Sequence, residues 1–328
     1  MGMKAVKFQN KKISVFDTPL PEISGQDALV KVMMAGICAT DAELYKGYQD
    51  FQGIPGHEFV GLVEKAPQAP ELVGNRVAVD INIGCGQCLR CGNGDTRHCP
   101  SRRVIGIRGK DGGFAEYCAV PITNLMALPD GLETIDAVFA EPLAAAFEIA
   151  YQYHIKPGTK LAVMGDGKMG LLCAFALDHY TSDLTVLGRH AEKLAIAARQ
   201  GIKTINTAEI PAEALEKRLK GAFDVVVEAT GNPDAINQAA KLVKPGGIIA
   251  VKTTSHQMSK INLAEIVVNE ITLVGSRCGD IEFAVKWLGN GWVNVAPLVD
   301  AVYSFDEFQK AFDHARTPGS SKILVAFE

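Results

Sequence analysis

The chain has 328 residues, a length that usually divides into more than one core. Its residues are 48% hydrophobic and 21% charged, and its formal net charge is -4. This balance makes no electrostatic case for a nucleic-acid or anionic-membrane partner, and no apolar run approaches the roughly 18 residues of a membrane span.

Residues 1–30 mix lysines with acids and contain no apolar signal-peptide core, so the expected compartment is the cytoplasm. A reducing compartment disfavours structural disulfides, which points the eight cysteines toward metal or redox chemistry. Up to residue 35 the pattern predicts short strands at 4–8, 13–16 and 28–34, broken by Pro19 and Pro21. Cys38 follows, in Gly36-Ile37-Cys38-Ala39-Thr40-Asp41. Nineteen residues later, Gly56-His57-Glu58 sets an imidazole beside a carboxylate inside a glycine-punctuated apolar run. Thiolate, imidazole and carboxylate are the ligand set of a catalytic zinc that keeps one position open. Further short strands at 60–63 and 76–79 make this third of the chain β-rich and irregular.

Residues 84–100 change character. Cys85, Cys88, Cys91 and Cys99 follow the spacing C-x2-C-x2-C-x7-C, which closes a four-sulfur shell around a structural zinc. So short and glycine-rich a lobe buries little apolar area, and metal binding would supply its folding free energy. An iron–sulfur cluster is the rival, since Cys99-Pro100 echoes ferredoxin spacing, but the long last gap favours zinc. The nearby Arg97, Arg102, Arg103 and Arg108 read as a solvated face, and Cys118 and Cys173 as buried packing.

A turn at 112–113 leads into a strand, and a helical pattern covers 134–154. Pro142 should start or kink that helix, which places Glu141 at a helix N-terminus among apolar neighbours. Two readings stand for Glu141, a metal-bound or paired carboxylate and an exposed acid favoured by the helix dipole.

From residue 159 strands and helices alternate, with six strands ending at 271–275, which predicts a doubly wound parallel sheet. Gly165-Asp166-Gly167-Lys168-Met169-Gly170 follows the first of these strands and opens a helix, the context a dinucleotide-binding turn requires. After the second strand stands Leu187-Gly188-Arg189-His190. The acid that would bind the ribose of NAD is missing there, Gly188 leaves room, and Arg189 can fork onto a 2′-phosphate, so NADP is favoured over NAD. An Arg189 facing solvent is the bland alternative. Arg277, after the sixth strand, completes the cofactor-binding candidates. An amphipathic helix at 306–316 and a last strand at 322–327 should return to the first domain.

Taken together, the Cys38–Asp41 segment, Pro55-Gly56-His57-Glu58, the four-cysteine lobe, Gly113-Phe114-Ala115-Glu116-Tyr117, Glu141-Pro142-Leu143 and the glycine turn span the chain. In these the chain resembles the zinc-dependent medium-chain dehydrogenase/reductase family, nearest its sorbitol, threonine and secondary-alcohol dehydrogenase branch. The resemblance implies a GroES-like catalytic domain at 1–148, a Rossmann domain at 149–276 and a return to the catalytic domain at 277–328. It implies two zinc ions per chain. Cys38, His57, Glu58 and Glu141 would surround the catalytic one, and Cys85, Cys88, Cys91 and Cys99 the structural one. The substrate hydroxyl would ionise on the catalytic zinc, with Thr40 passing its proton outward and the hydride moving to the nicotinamide. Relatives often carry a His where this chain has Glu43, so the relay would end in a carboxylate or in water. The implied substrate is a small alcohol or ketone, and the implied assembly a homodimer or homotetramer. Two alternatives are a zinc-independent NADPH enone or quinone reductase and a non-catalytic NADP-binding redox sensor.

Overall fold

The computed structural model describes residues 2–9, 12–255 and 257–327. The chain opens with β1 (Gly2–Gln9), β2 (Lys12–Pro19), β3 (Asp27–Ile37), α1 (Ala39–Tyr45), β4 (Glu58–Lys65), β5 (Arg76–Val79) and β6 (Asn82–Ile83). There follow α2 (Leu89–Gly92), β7 (Arg103–Ile105), β8 (Gly109–Lys110), β9 (Tyr117–Pro121), β10 (Leu125–Ala127), α3 (Thr134–Ala137) and α4 (Ala140–Gln152). The alternating part is β11 (Lys160–Met164), α5 (Lys168–Leu177), β12 (Asp183–Gly188), α6 (Ala191–Arg199), β13 (Lys203–Asn206), α7 (Ala212–Leu219), β14 (Phe223–Glu228), α8 (Ala235–Leu242), β15 (Val243–Val251), α9 (Leu263–Val268) and β16 (Thr272–Gly275). Last come α10 (Ile281–Gly289), β17 (Val299–Ser304), α11 (Phe308–Ala315) and β18 (Lys322–Ala326).

Two compact units result, one of the residues up to Glu141 with the chain from Ile281 onward, the other Pro142–Asp280. In the first, a mixed sheet runs β10-β5-β4-β3-β18-β17, with β9 also on β3. Strand β3 is its centre because it pairs with β4, β9 and β18, and Ala28, Val30 and Val32 alternate into the core. Helix α11 buries Phe308, Ala311 and Phe312, the spacing of one helical face. Phe308 meets Phe114 at 4.8 Å, and Phe312 meets Phe8 at 5.1 Å and Tyr45 at 5.4 Å. Tyr45 therefore packs the core of this unit.

The second unit holds six parallel strands in the order β13-β12-β11-β14-β15-β16. Strands buried on both faces read as apolar runs, as in Lys160–Met164 (KLAVM) and Phe223–Glu228 (FDVVVE). The order reverses between β11 and β14, the topological switch point beside which such sheets bind ligands. The fold is α/β, a doubly wound parallel sheet plus a β-rich unit.

Two local expectations change. The helical pattern over 134–154 is two helices, α3 and α4, and Pro142 sits in the first turn of α4, where its missing N–H leaves no bond unmade. Strand β17 lacked a signal of its own. It is the sheet's edge, and its residues alternate between half-buried and exposed.

Candidate active site

Cys38 closes β3 and heads α1 in an extended conformation. Its backbone N–H donates to Asp41 Oδ2 at 2.8 Å, and its side chain faces the Asp41 N–H in return, a reciprocal cap that fixes the first turn. The Sγ lies 3.7 Å from Thr40 Oγ1. Strand β4 starts at Glu58, paired with Gly36 of β3, so the strand pairing brings His57 and Glu58 beside Cys38. A Cβ on Gly36 would stand 2.7 Å from Glu58 Oε2, so the glycine makes room for the carboxylate.

The ligand atoms of Cys38, His57 and Glu58 all lie within 4.8 Å of one another, and His57 and Glu58 are 3% and 2% exposed. Among the described residues, Glu141 is outside that close group. It is half-buried in the first turn of α4, and desolvation pushes its carboxyl up to about 7. The opposing charge of His57 and the like charge of Glu58 also act on it, so it senses the same centre.

Asp41 is fully buried, and its Oδ1 stands 3.4 Å from His57 Nδ1. Among the described residues neither atom has a hydrogen-bond partner, so this is a charge contact without hydrogen-bond alignment. Burial works against a charged His57, but Asp41 and Cys38 outweigh it and hold the imidazole well above its ordinary range. A thiol, a buried imidazole backed by a carboxylate and a second carboxylate form a donor set that fits zinc.

Lys322 is the participant that sequence reasoning missed. It enters on β18, is 4% exposed, and donates to Glu58 Oε2 in a buried ion pair. Its Nζ also lies 5.8 Å from the Phe139 ring centroid. The only sequence signal is a lysine heading an apolar final strand. Glu43 pairs with Lys46 at 2.8 Å.

The four lobe sulfurs also lie within 4.8 Å of one another. Cys88 caps α2, its Sγ accepting from the Cys91 N–H at 3.5 Å, and Cys85 N–H donates to Cys99 Sγ at 3.4 Å. The Cys88 and Cys91 sulfurs stand 3.5 Å apart, far longer than a disulfide. Backbone N–H groups of Gln87 and Cys88 lower the Cys85 thiol to about 6, while burial raises Cys91 to about 11. Four sulfurs this close cannot all ionise without a cation among them, which fits a structural metal.

In the second unit, β11 runs into Gly165 at φ +111, where a Cβ would meet the Ala229 carbonyl at 2.5 Å. Gly170 packs against the Gly165 carbonyl, whereas a Cβ on Gly167 would meet nothing within 4 Å. That opening lies over the N-terminus of α5, a cradle shaped for a pyrophosphate. Lys168 and Met169 are half-buried in its first turn, and Arg277 is exposed after β16. The Arg277 carbonyl accepts from Lys252 Nζ at 3.1 Å.

The expected room beside Gly188 is filled. Asp166, 6% exposed, leans onto the end of β12, and its Oδ2 accepts from the Arg189 and His190 N–H groups at 2.6 and 2.7 Å. The His190 ring Nδ1 lies 3.0 Å from Oδ1. An acid is therefore present at this strand end, supplied by the glycine turn.

Residues 24–130 match the family model described as alcohol dehydrogenase GroES-like domain, and residues 167–288 the one described as zinc-binding dehydrogenase. Sorbitol dehydrogenase of Bacillus subtilis is 28% identical over 96% of this chain and 94% of its own. A short chain alcohol dehydrogenase of Escherichia coli CFT073 (RspB), solved with NADH, superposes with a TM-score of 0.91 at 27% identity over 99% of both chains. A Sinorhizobium meliloti 1021 chain solved with NADP gives 0.90 at 29%, again over 99% of both.

Proposed function

The chain belongs to the zinc-type medium-chain alcohol dehydrogenase family, and on that premise we propose that it transfers a hydride between a secondary alcohol or polyol and a nicotinamide dinucleotide. The observation that carries this reading is the convergence of Cys38, His57 and Glu58 within 4.8 Å.

Cys38 and His57 would hold the catalytic zinc, with Glu58 and Glu141 as the further carboxylates of that centre. When bound, the ion supplies Lewis acidity toward a hydroxyl or carbonyl oxygen, and the cofactor supplies the hydride chemistry. Asp41 steadies His57, in the tautomer whose Nδ1–H faces its carboxylate. Lys322 donates to Glu58 in a buried ion pair and holds that carboxylate in place beside the centre. Thr40 accepts the proton that the substrate hydroxyl gives up and relays it outward, toward Glu43 and water. Cys85, Cys88, Cys91 and Cys99 hold a second, structural zinc.

The catalytic domain comprises 1–148 and 277–328, and the cofactor domain 149–276. Arg189 supports NADP and Asp166 opposes it. No helix among the described residues is long and apolar enough to cross a membrane, and the proposed compartment is the cytoplasm. On α9, Leu263, Val267 and Val268 are 65%, 71% and 80% exposed just before the edge strand β16, which supports a homodimer or homotetramer.

A panel of secondary alcohols and polyols, assayed with NAD and NADP in parallel on zinc-replete enzyme, tests the reading. Oxidation of none of them with either cofactor rejects it.

A further inference from the structure

We propose that the Asp166 carboxylate, delivered by the glycine turn, is the adenosine-ribose acceptor that the end of β12 lacks, and that it makes the site prefer NAD to NADP. The inference rests on the dinucleotide reading of the second unit and reverses the preference that Arg189 suggests in the sequence.

The geometry couples two positions. In sheets of this kind an acid at the end of the second strand binds the ribose 2′-hydroxyl. Here β12 ends in Gly188, which has no side chain. A Cβ there would lie 2.5 Å from Asp166 Oδ2, so any larger residue would displace the carboxylate. The strand gives up its side chain, and the turn fills the same place with an acid. Three N–H donors, from Arg189, His190 and the His190 ring, hold that acid. A carboxylate offers about four acceptor sites, so a ribose hydroxyl can take the remaining one.

The contacts around Asp166 favour its carboxylate form. Burial opposes ionisation of Asp166, but the His190 and Arg189 contacts outweigh it and hold the carboxyl below its ordinary range. A 2′-phosphate would bring about -1.5 to -2 of like charge against it. The Arg189 side chain is exposed, so its compensating charge is screened by water. A like charge that opposes one ligand discriminates as effectively as a contact that favours the other.

Titration calorimetry of NAD and NADP on the zinc-loaded full chain, without substrate, tests this directly. Wild type is expected to bind NAD at least about tenfold more tightly than NADP, and Asp166→Asn to bring the two within about threefold. Asp166→Ala combined with Gly188→Asp moves the carboxylate back to the strand and should restore the NAD preference. That pair keeps the test decisive if Asp166→Asn folds poorly, as judged by circular dichroism. Wild type binding NADP as tightly as NAD, or a ratio unchanged in Asp166→Asn, overturns the proposal while leaving the dehydrogenase reading in place. Binding of neither dinucleotide overturns both.

Discussion

Replacing Lys322 with Met isolates the buried ion pair behind the candidate metal centre. The side chains of Lys322 and Glu58 are 4% and 2% exposed, so the substitution strands a carboxylate in a dry interior. Breaking a buried pair on one side costs about 3–5 kcal/mol, and Met fills a similar volume, so a cavity adds little. At roughly 2–4 °C per kcal/mol for a unit of this size, the melting temperature should fall by about 6–20 °C. Burial disfavours the ammonium, but Glu58, then Cys38, raise its pKa. A raised lysine contributes its full stability below the unfolded pKa of about 10.4 and loses it only as pH rises through the folded value. The assay is therefore thermal and denaturant unfolding near pH 7 of wild type, Lys322→Met, Glu58→Gln and the double variant. Adding Glu58→Gln to Lys322→Met should recover much of the loss, with a coupling of about 1–3 kcal/mol. Single variants within about 0.5 kcal/mol of wild type, or strict additivity, would refute the reasoning.

Thr40→Val should lower kcat by roughly 10²- to 10⁴-fold while Thr40→Ser retains most activity and both keep their zinc, as steady-state kinetics with metal analysis would read. Cys99→Ser should remove one zinc per chain and open residues 84–100 to limited proteolysis, with the other zinc retained. Asp224 is depressed although burial opposes it, because Lys244 and the Lys160 N–H hold its charged form. A depressed carboxyl stabilises above its unfolded pKa of about 3.9 and loses that contribution as pH falls through the folded value. Melting curves from about pH 7 to about pH 3 should accordingly fall less steeply for Asp224→Asn than for wild type.

What was legible in the sequence was local. The four lobe cysteines fall within fifteen residues, so spacing alone groups them. The glycine turn announces itself by following one apolar run and opening another. Cys38 and His57 stand nineteen positions apart, yet strand pairing of β3 with β4 is enough to join them. Lys322 arrives from 264 positions beyond Glu58, and only the pairing of β18 with β3 brings it there. No periodicity encodes that pairing. Asp166 is a cofactor-binding candidate from the glycine turn itself, but its place at the end of β12 is legible only once Gly188 is seen to be the space it fills. Glu141 stayed ambiguous because a helix N-terminus suits an acid with or without a metal.

The central claim is that Cys38 and His57 build a zinc centre that oxidises alcohols. Its most direct test is zinc content measured together with nicotinamide reduction by a secondary alcohol or polyol panel, in wild type and Cys38→Ser. The account predicts two zinc ions and turnover in wild type, and one zinc ion with turnover lost in Cys38→Ser. Wild-type turnover that persists in Cys38→Ser, or an active wild type holding only the lobe zinc, would contradict it.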